Sequence, residues 1–150
     1  VTFLLRQRTM IRKATEEDIP VIKQLMQSEP DYWNQDSRPD ALRIALGSAK
    51  DLAFVWDEEG SMLGFICAHD LGFRAYLSEL IVHRSARRRG IGKQLVQRVQ
   101  DELVQRKCPV LFSDVWRTAE MFYRSLGWSE PKVTLLRIKL EGENSQPPAI

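Results

Sequence analysis

The sequence predicts a mixed α/β sheet flanked by helices, on three observations. Leu52–Trp56, Met62–Ala68 and Ala75–Val82 are short apolar-rich runs separated by Gly-containing turns, the signature of consecutive strands. Two segments instead carry their apolar residues at helical spacing: Ile19, Ile22, Leu25 and Met26 in one, and Ile91, Leu95, Val96, Val99 and Leu103 in the other. The order of these elements, early helices and strands and then strand, loop, helix, strand, helix, strand, is that of a mixed sheet covered by helices. At 150 residues and 43% hydrophobic, the chain can bury one core without disulfides or metals.

Taken in order, Val1 to Thr9 form an N-terminal extension to which no function is assigned. Met10 to Lys13 reads as a strand, and Thr15 as the N-cap of a helix with Glu16, Glu17 and Asp18 in its first turn, where carboxylates complement the helix dipole. That helix runs to about Ser28, and Pro30 closes it. The loop Asp31 to Asp40 follows, polar but with Tyr32 and Trp33 adjacent, and a short helix spans about Asp40 to Gly47. Leu52–Trp56 and Met62–Ala68 pair antiparallel around Glu58-Glu59-Gly60. Asp70-Leu71-Gly72 then turns the chain into Ala75–Val82.

Strict alternation places Tyr76, Ser78, Leu80 and Val82 on one face of this strand and Leu77, Glu79 and Ile81 on the other. Glu79 thus shares a face with apolar neighbours, which raises a carboxyl pKa toward the range of a general base. A Glu paired with one of the many Arg residues, or turned to solvent by a bulge, is the competing reading. After the strand comes Arg87-Arg88-Arg89-Gly90-Ile91-Gly92-Lys93, leading into a helix from Gly90 to about Arg106. Glycines at a strand-to-helix turn, with basic residues and uncapped N–H groups, suit a phosphorylated ligand. A P-loop is excluded, because its first Gly and its Ser or Thr fall at Arg87 and Gln94. The dinucleotide fingerprint fails where its third Gly falls at Leu95. A basic patch that is merely solvated or binds nucleic acid stays open, with a steep salt dependence as its mark.

Val110–Val115 reads as a strand, and Thr118 as the cap of a helix from Ala119 to Leu126 that ends at Gly127. Ala119, Phe122 and Leu126 form its inward stripe, with Tyr123 beside them. Leu135–Leu140 alternates as a last strand, and residues 141–150 read as a polar tail. A net charge of +2, from 22 basic and 20 acidic residues, gives no global field for nucleic acid. Cys67 and Cys108 have no metal or disulfide spacing, so no metal is expected and a reducing cytoplasm is. No apolar run approaches the roughly 20 residues of a membrane span, and no signal-peptide core is present in Val1 to Thr9.

Two stretches together resemble one family. Arg87-x-x-Gly90-x-Gly92 is similar to the cofactor signature of the GNAT superfamily of N-acetyltransferases, and Tyr123-x-x-Leu126-Gly127-Trp128 is similar to that family's Tyr-x-x-Leu-Gly-Phe signature. The resemblance covers about residues 10–140 as one acetyltransferase domain. It implies a GNAT-like acyl-CoA N-acyltransferase fold in which strands Ala75–Val82 and Val110–Val115 splay apart. It implies acetyl-CoA as donor, with the backbone from Arg87 through Arg88, Arg89, Gly90, Ile91 and Gly92 to Lys93 cradling its pyrophosphate. A backbone N–H near Ile81 or Val82 would serve as oxyanion donor, Glu79 as base, through water or directly, and Tyr123 as general acid. The family often has an Asn seven residues before the Tyr. Trp116 stands there, which opens that contact to question and leaves Trp116 to wall the acceptor site, line the pantetheine channel or simply pack. Related sequences acetylate small amines, peptides and proteins. Asp31, Tyr32, Trp33 and Asp36 belong to a loop that reads first as solvated acids with aromatics folded onto the core, and in the sharper reading as an acceptor-binding loop for a small cationic amine. A protein or peptide acceptor, or a non-catalytic coenzyme A sensor, are the alternatives, and a homodimer is left open.

Overall fold

Alternating apolar residues and tight turns produce three consecutive antiparallel strands, and the first and last strands are added on either side of them. The computed structural model describes residues 10–30, 32–33 and 37–140. Two units, Val1–Ser113 and Asp114–Ile150, divide the chain and are taken separately. The first holds a five-stranded sheet in the order β1 (Ile11–Lys13), β2 (Ala53–Glu58), β3 (Ser61–Asp70), β4 (Ala75–Val82), β5 (Leu111–Phe112). All neighbours are antiparallel except β4 and β5, which are parallel. Between the strands lie α1 (Ile19–Gln27), α2 (Ala41–Ala49) and α3 (Ile91–Gln105).

The register assigns each face. Ala53, Val55, Phe65, Cys67 and Ile81 fall on one side and form a buried cluster with Ile22, Leu25 and Met26 of α1 and Leu42, Leu46 and Ala49 of α2. The opposite side meets α3, whose Ile91, Leu95, Val96, Val99 and Leu103 are buried. Gly64 of β3 permits that approach, since a Cβ there would lie 3.0 Å from Leu95 Cδ1 and 3.1 Å from Ile91 Cγ2. Real Cβ atoms are rarely held so close, and the close packing of interiors leaves the helix little room to yield.

The start of α1 differs from a simple cap. Thr15 is the N-cap as expected, but of a 3₁₀ turn, Glu16–Asp18, that leads into the helix proper. Asp18 is not a solvated first-turn acid but nearly buried: it accepts two bonds of 2.8 Å from the Arg12 guanidinium and one of 2.8 Å from the Thr15 N–H. Arg12 holds the Asp18 carboxyl below its ordinary pKa, and this forked pair ties β1 to α1.

Strict alternation fails in β4. Cys67 pairs with Glu79 but its neighbour Ala68 pairs with Leu77, so Ser78 is the extra residue of a β-bulge. Beyond it Glu79 and Ile81 share a face with Cys67, while Leu77 lies on the other. Glu79 does sit among apolar groups, but those of the α1 and α2 side rather than a stripe continuing from Leu77.

The strand expected over Val110–Val115 shrinks to Leu111–Phe112, paired with Ala75 and Tyr76 alone. In the second unit the helix expected from Ala119 is a 3₁₀ turn, Arg117–Ala119, followed by α4 (Glu120–Ser125), so Thr118 lies inside the turn rather than at the cap. Its inward residue is Tyr123; Ala119, Phe122 and Leu126 are only partly buried. The Trp128 N–H donates to Tyr123 O and the Gly127 N–H to Arg124 O, with Gly127 at φ 95°, which is a Schellman end. The strand expected over Leu135–Leu140 does not form: Leu135, Leu136, Ile138 and Leu140 are exposed. Alternation supplies the pleat, but a strand also needs a hydrogen-bonding neighbour, and no described strand pairs with this segment.

Candidate functional site

The bulge aims Glu79 at the connection between α1 and α2. There the Tyr32 hydroxyl donates a 2.6 Å hydrogen bond to Glu79 Oε2 and lies 3.5 Å from Leu80 O. Burial pushes the Glu79 pKa up, and the Tyr32 bond opposes that shift in part. Cys67, directly across in β3, is fully buried, and burial pushes its thiol up to about 12. It is therefore protonated at neutral pH and a poor nucleophile. Behind it runs a chain of polar side chains: Ser78 Oγ lies 2.8 Å from His69 Nε2, and His69 Nδ1 lies 2.9 Å from Ser48 Oγ of α2. Burial lowers the His69 pKa, so the neutral ring is favoured.

Tyr32 and Trp33 both pack against the buried cluster, and the Lys23 ammonium sits 5.2 Å from the Trp33 ring centroid. Trp33 thus already carries a cation from its own chain. Asp31 and Asp36, predicted beside them, lie outside the described residues.

Among the described residues one edge of β4 has no strand partner beyond Tyr76, where the cofactor strand was expected to splay. Strand pairing with β5 stops at Tyr76, and Ser113 Oγ caps the next step by donating to Leu77 O at 2.8 Å. The His83 N–H donates to Leu63 O, so alternation back along β4 turns the Ile81 N–H toward β3 and the N–H groups of Leu80 and Val82 toward the open edge. Of the two predicted donors, Val82 is oriented for the role; Ile81 is buried and its N–H belongs to the β3 ladder.

At the end of β4 the chain makes a short 3₁₀ turn, Arg84–Ala86, started by the Ser85 N–H donating to His83 Nδ1. Arg87 is extended, Arg88 has φ 65° and Gly90 has φ 79°. Gly90 is the N-cap of α3 with no side chain capping it, and its carbonyl accepts from the Gln94 N–H at 3.0 Å. The first-turn N–H groups of Ile91, Gly92 and Lys93 are therefore offered at the positive end of a 15-residue helix. A Cβ on Gly90 would meet nothing within 4 Å, so no described atom crowds that residue. Uncapped backbone donors beside left-handed residues are a donor set that fits a diphosphate.

The arginine side chains are arranged otherwise. Arg87 pairs with Glu29 at 2.7 Å, Arg84 lies 3.6 Å from the same oxygen, and Arg89 is bound in a fork by Glu58. Arg88 and Lys93 are exposed and form no ion pair among the described residues. Sequence reading missed Glu29 and Glu58. A carboxylate just before Pro30 and another at a hairpin turn look solvated until the fold brings the arginines to them. It also missed His69, Ser78 and Ser48, whose spacing carries no motif.

In the second unit Tyr123 is buried between the edges of Phe122 and Trp128, each with ring centroids 5.1 Å away. Its Trp128 contact is the apolar contact that accompanies a Schellman end. Trp116 precedes the 3₁₀ turn and is 62% exposed, so within its unit it is not a packing residue.

Comparison with known proteins gives the family and the fold. Residues 19–128 match the model of the acetyltransferase (GNAT) family. The peptidyl-lysine N-acetyltransferase YiaC of Escherichia coli K12 is 32% identical over 131 residues, covering 79% of this chain and 82% of that protein. The fold is shared with the ribosomal-protein-S18-alanine N-acetyltransferase of Escherichia coli, at TM-score 0.68 and 24% identity over 81% of this chain and 78% of the other. It is also shared with the aminoglycoside N-acetyltransferase AAC(6')-Iy in complex with CoA, at TM-score 0.68 and 22% identity over 87% and 93%. No helix among the described residues is long and apolar enough to cross a membrane.

Proposed function

Given that the chain belongs to the acetyltransferase (GNAT) family and is an N-acetyltransferase, we propose that it transfers acetyl from acetyl-CoA directly to a primary amine of a small cationic molecule. The observation that carries this reading is Glu79: a partly buried carboxylate with a raised pKa, on the strand edge that β5 leaves open. An alkylammonium of pKa about 10.4 must lose a proton before it can react near neutral pH, and Glu79 accepts it. When bound, acetyl-CoA supplies the activated acetyl thioester. The N–H groups of Ile91, Gly92 and Lys93 would hold its diphosphate, with Arg88 adding charge from the rim. The Val82 N–H binds negative charge developing on a carbonyl oxygen at the open edge. Tyr123 is assigned the proton delivered to the leaving sulfur, on the family motif around it and the chemistry of a phenol. Direct transfer, rather than an acyl-enzyme, is supported by the buried, protonated state of Cys67.

A second reading, a lysine side chain of a peptide or protein as acceptor, is favoured by the 32% identity to a peptidyl-lysine acetyltransferase. Thiol release from acetyl-CoA separates the two. The expected result is a higher kcat/KM with spermidine or an aminoglycoside than with a lysine peptide. The reverse ranking moves the acceptor to the second reading, and no release with any amine overturns both.

A further inference from the structure

Building on that reading, we infer that Tyr32 is a positioning residue for the base: its hydroxyl pins Oε2 of Glu79 and leaves Oε1 as the oxygen that takes the acceptor's proton. The bond is 2.6 Å, short for a neutral hydroxyl and typical of O–H donated to a carboxylate. Among the described residues Oε1 has no hydrogen-bond partner, so the two oxygens are not equivalent.

Tyr32 is itself fixed. Its ring packs against the buried cluster, and its N–H lies 3.4 Å from Glu29 O at the end of α1. Glu29 is in turn anchored by Arg87 and Arg84, so the segment that holds the base is tied to the loop before α3. Ring packing and the bond to Oε2 together orient the carboxylate.

The other groups around Glu79 do not supply this function. From β3 come Cys67, protonated, and His69, engaged by Ser78 and Ser48. The cluster residues of α1 and α2 on this face are apolar, and the Glu29 carboxylate is turned to its arginines. Tyr32 is thus the group that offsets burial and favours the ionised, proton-accepting form.

The test is a ¹³C NMR pH titration of the side-chain carboxyl of Glu79 in the full chain, its resonance identified by its loss in Glu79→Gln. Tyr32→Phe keeps the ring and removes the donor. The expected result is a raised Glu79 midpoint, with the thermal midpoint nearly unchanged. The acid limb of kcat/KM, measured with the best amine of spermidine, an aminoglycoside or a lysine peptide, moves up by the same amount. An unmoved or lowered Glu79 midpoint overturns the inference. A raised midpoint with an unmoved acid limb overturns Glu79 as the base, and so the reading on which the inference rests.

Discussion

The two ends of β4 do different work with different materials. At its far end, the turn into α3 presents backbone: left-handed Arg88 and Gly90 and the uncapped first turn of the helix, while Arg87 and Arg89 are held by acids. Mid-strand, the bulge presents side chains: Glu79 gripped by Tyr32 from 47 residues away, with Cys67 and the His69 chain behind. Backbone geometry is set by neighbours in sequence, whereas a side-chain cluster is set by the whole sheet and the helices that cover it. The first kind of site tolerates loss of a nearby charge but not of a glycine; the second fails with a single atom.

The largest expected effect is at the bulge. Glu79→Gln keeps the shape and removes the base, so kcat/KM should fall about 10²- to 10⁴-fold and its acid limb should disappear, while acetyl-CoA affinity stays. At the turn, Gly90→Val meets no neighbour but must hold a positive φ. It should cost about 1–2 kcal/mol in stability, read by denaturant unfolding, and weaken acetyl-CoA binding in calorimetry. Arg89→Ala should change that affinity less than about threefold, because its charge is already spent on an exposed pair with Glu58. If Arg89→Ala were the more damaging of the two, the contrast between backbone and side-chain sites would be wrong.

A smaller effect sharpens the frame behind both. Asp18→Asn should lower stability at pH 7 by about 1–2 kcal/mol, discounted for the partial exposure of Arg12. The folded pKa of Asp18 is depressed, so its contribution is present above the unfolded value. It is lost as pH falls through the folded one. Wild type and variant should therefore converge in acid unfolding. Smallest is a reactivity difference: at pH 8 a thiol reagent should label Cys108, which is partly exposed, and leave buried Cys67 unlabelled until the chain unfolds.

What was legible in the sequence follows the same division. The strands β2 to β4, the buried stripe of α3 and the glycine turn before it are local patterns, and all appear where periodicity and spacing place them. The family followed from two such patterns, since Tyr123-x-x-Leu126-Gly127-Trp128 encodes a helix end and Arg87-x-x-Gly90-x-Gly92 a helix start. Glu79 was legible as a carboxylate among apolar residues, but the bulge that turns it to the α1 side was not, because nothing in Ser78 itself marks an inserted residue. Nor was its bond to Tyr32, which depends on tertiary packing. The strands over Val110–Val115 and Leu135–Leu140 were overread, because a local apolar or alternating run says nothing of a partner.

Thermal unfolding of the purified chain with acetyl-CoA, against ATP and NAD, tests most directly whether the turn into α3 is a coenzyme A cradle. At about 100 times Kd the ligand should add about 2.7 kcal/mol and raise the midpoint by several degrees, with neither control doing so. Equal shifts from all three, or no shift in a folded chain, would contradict it.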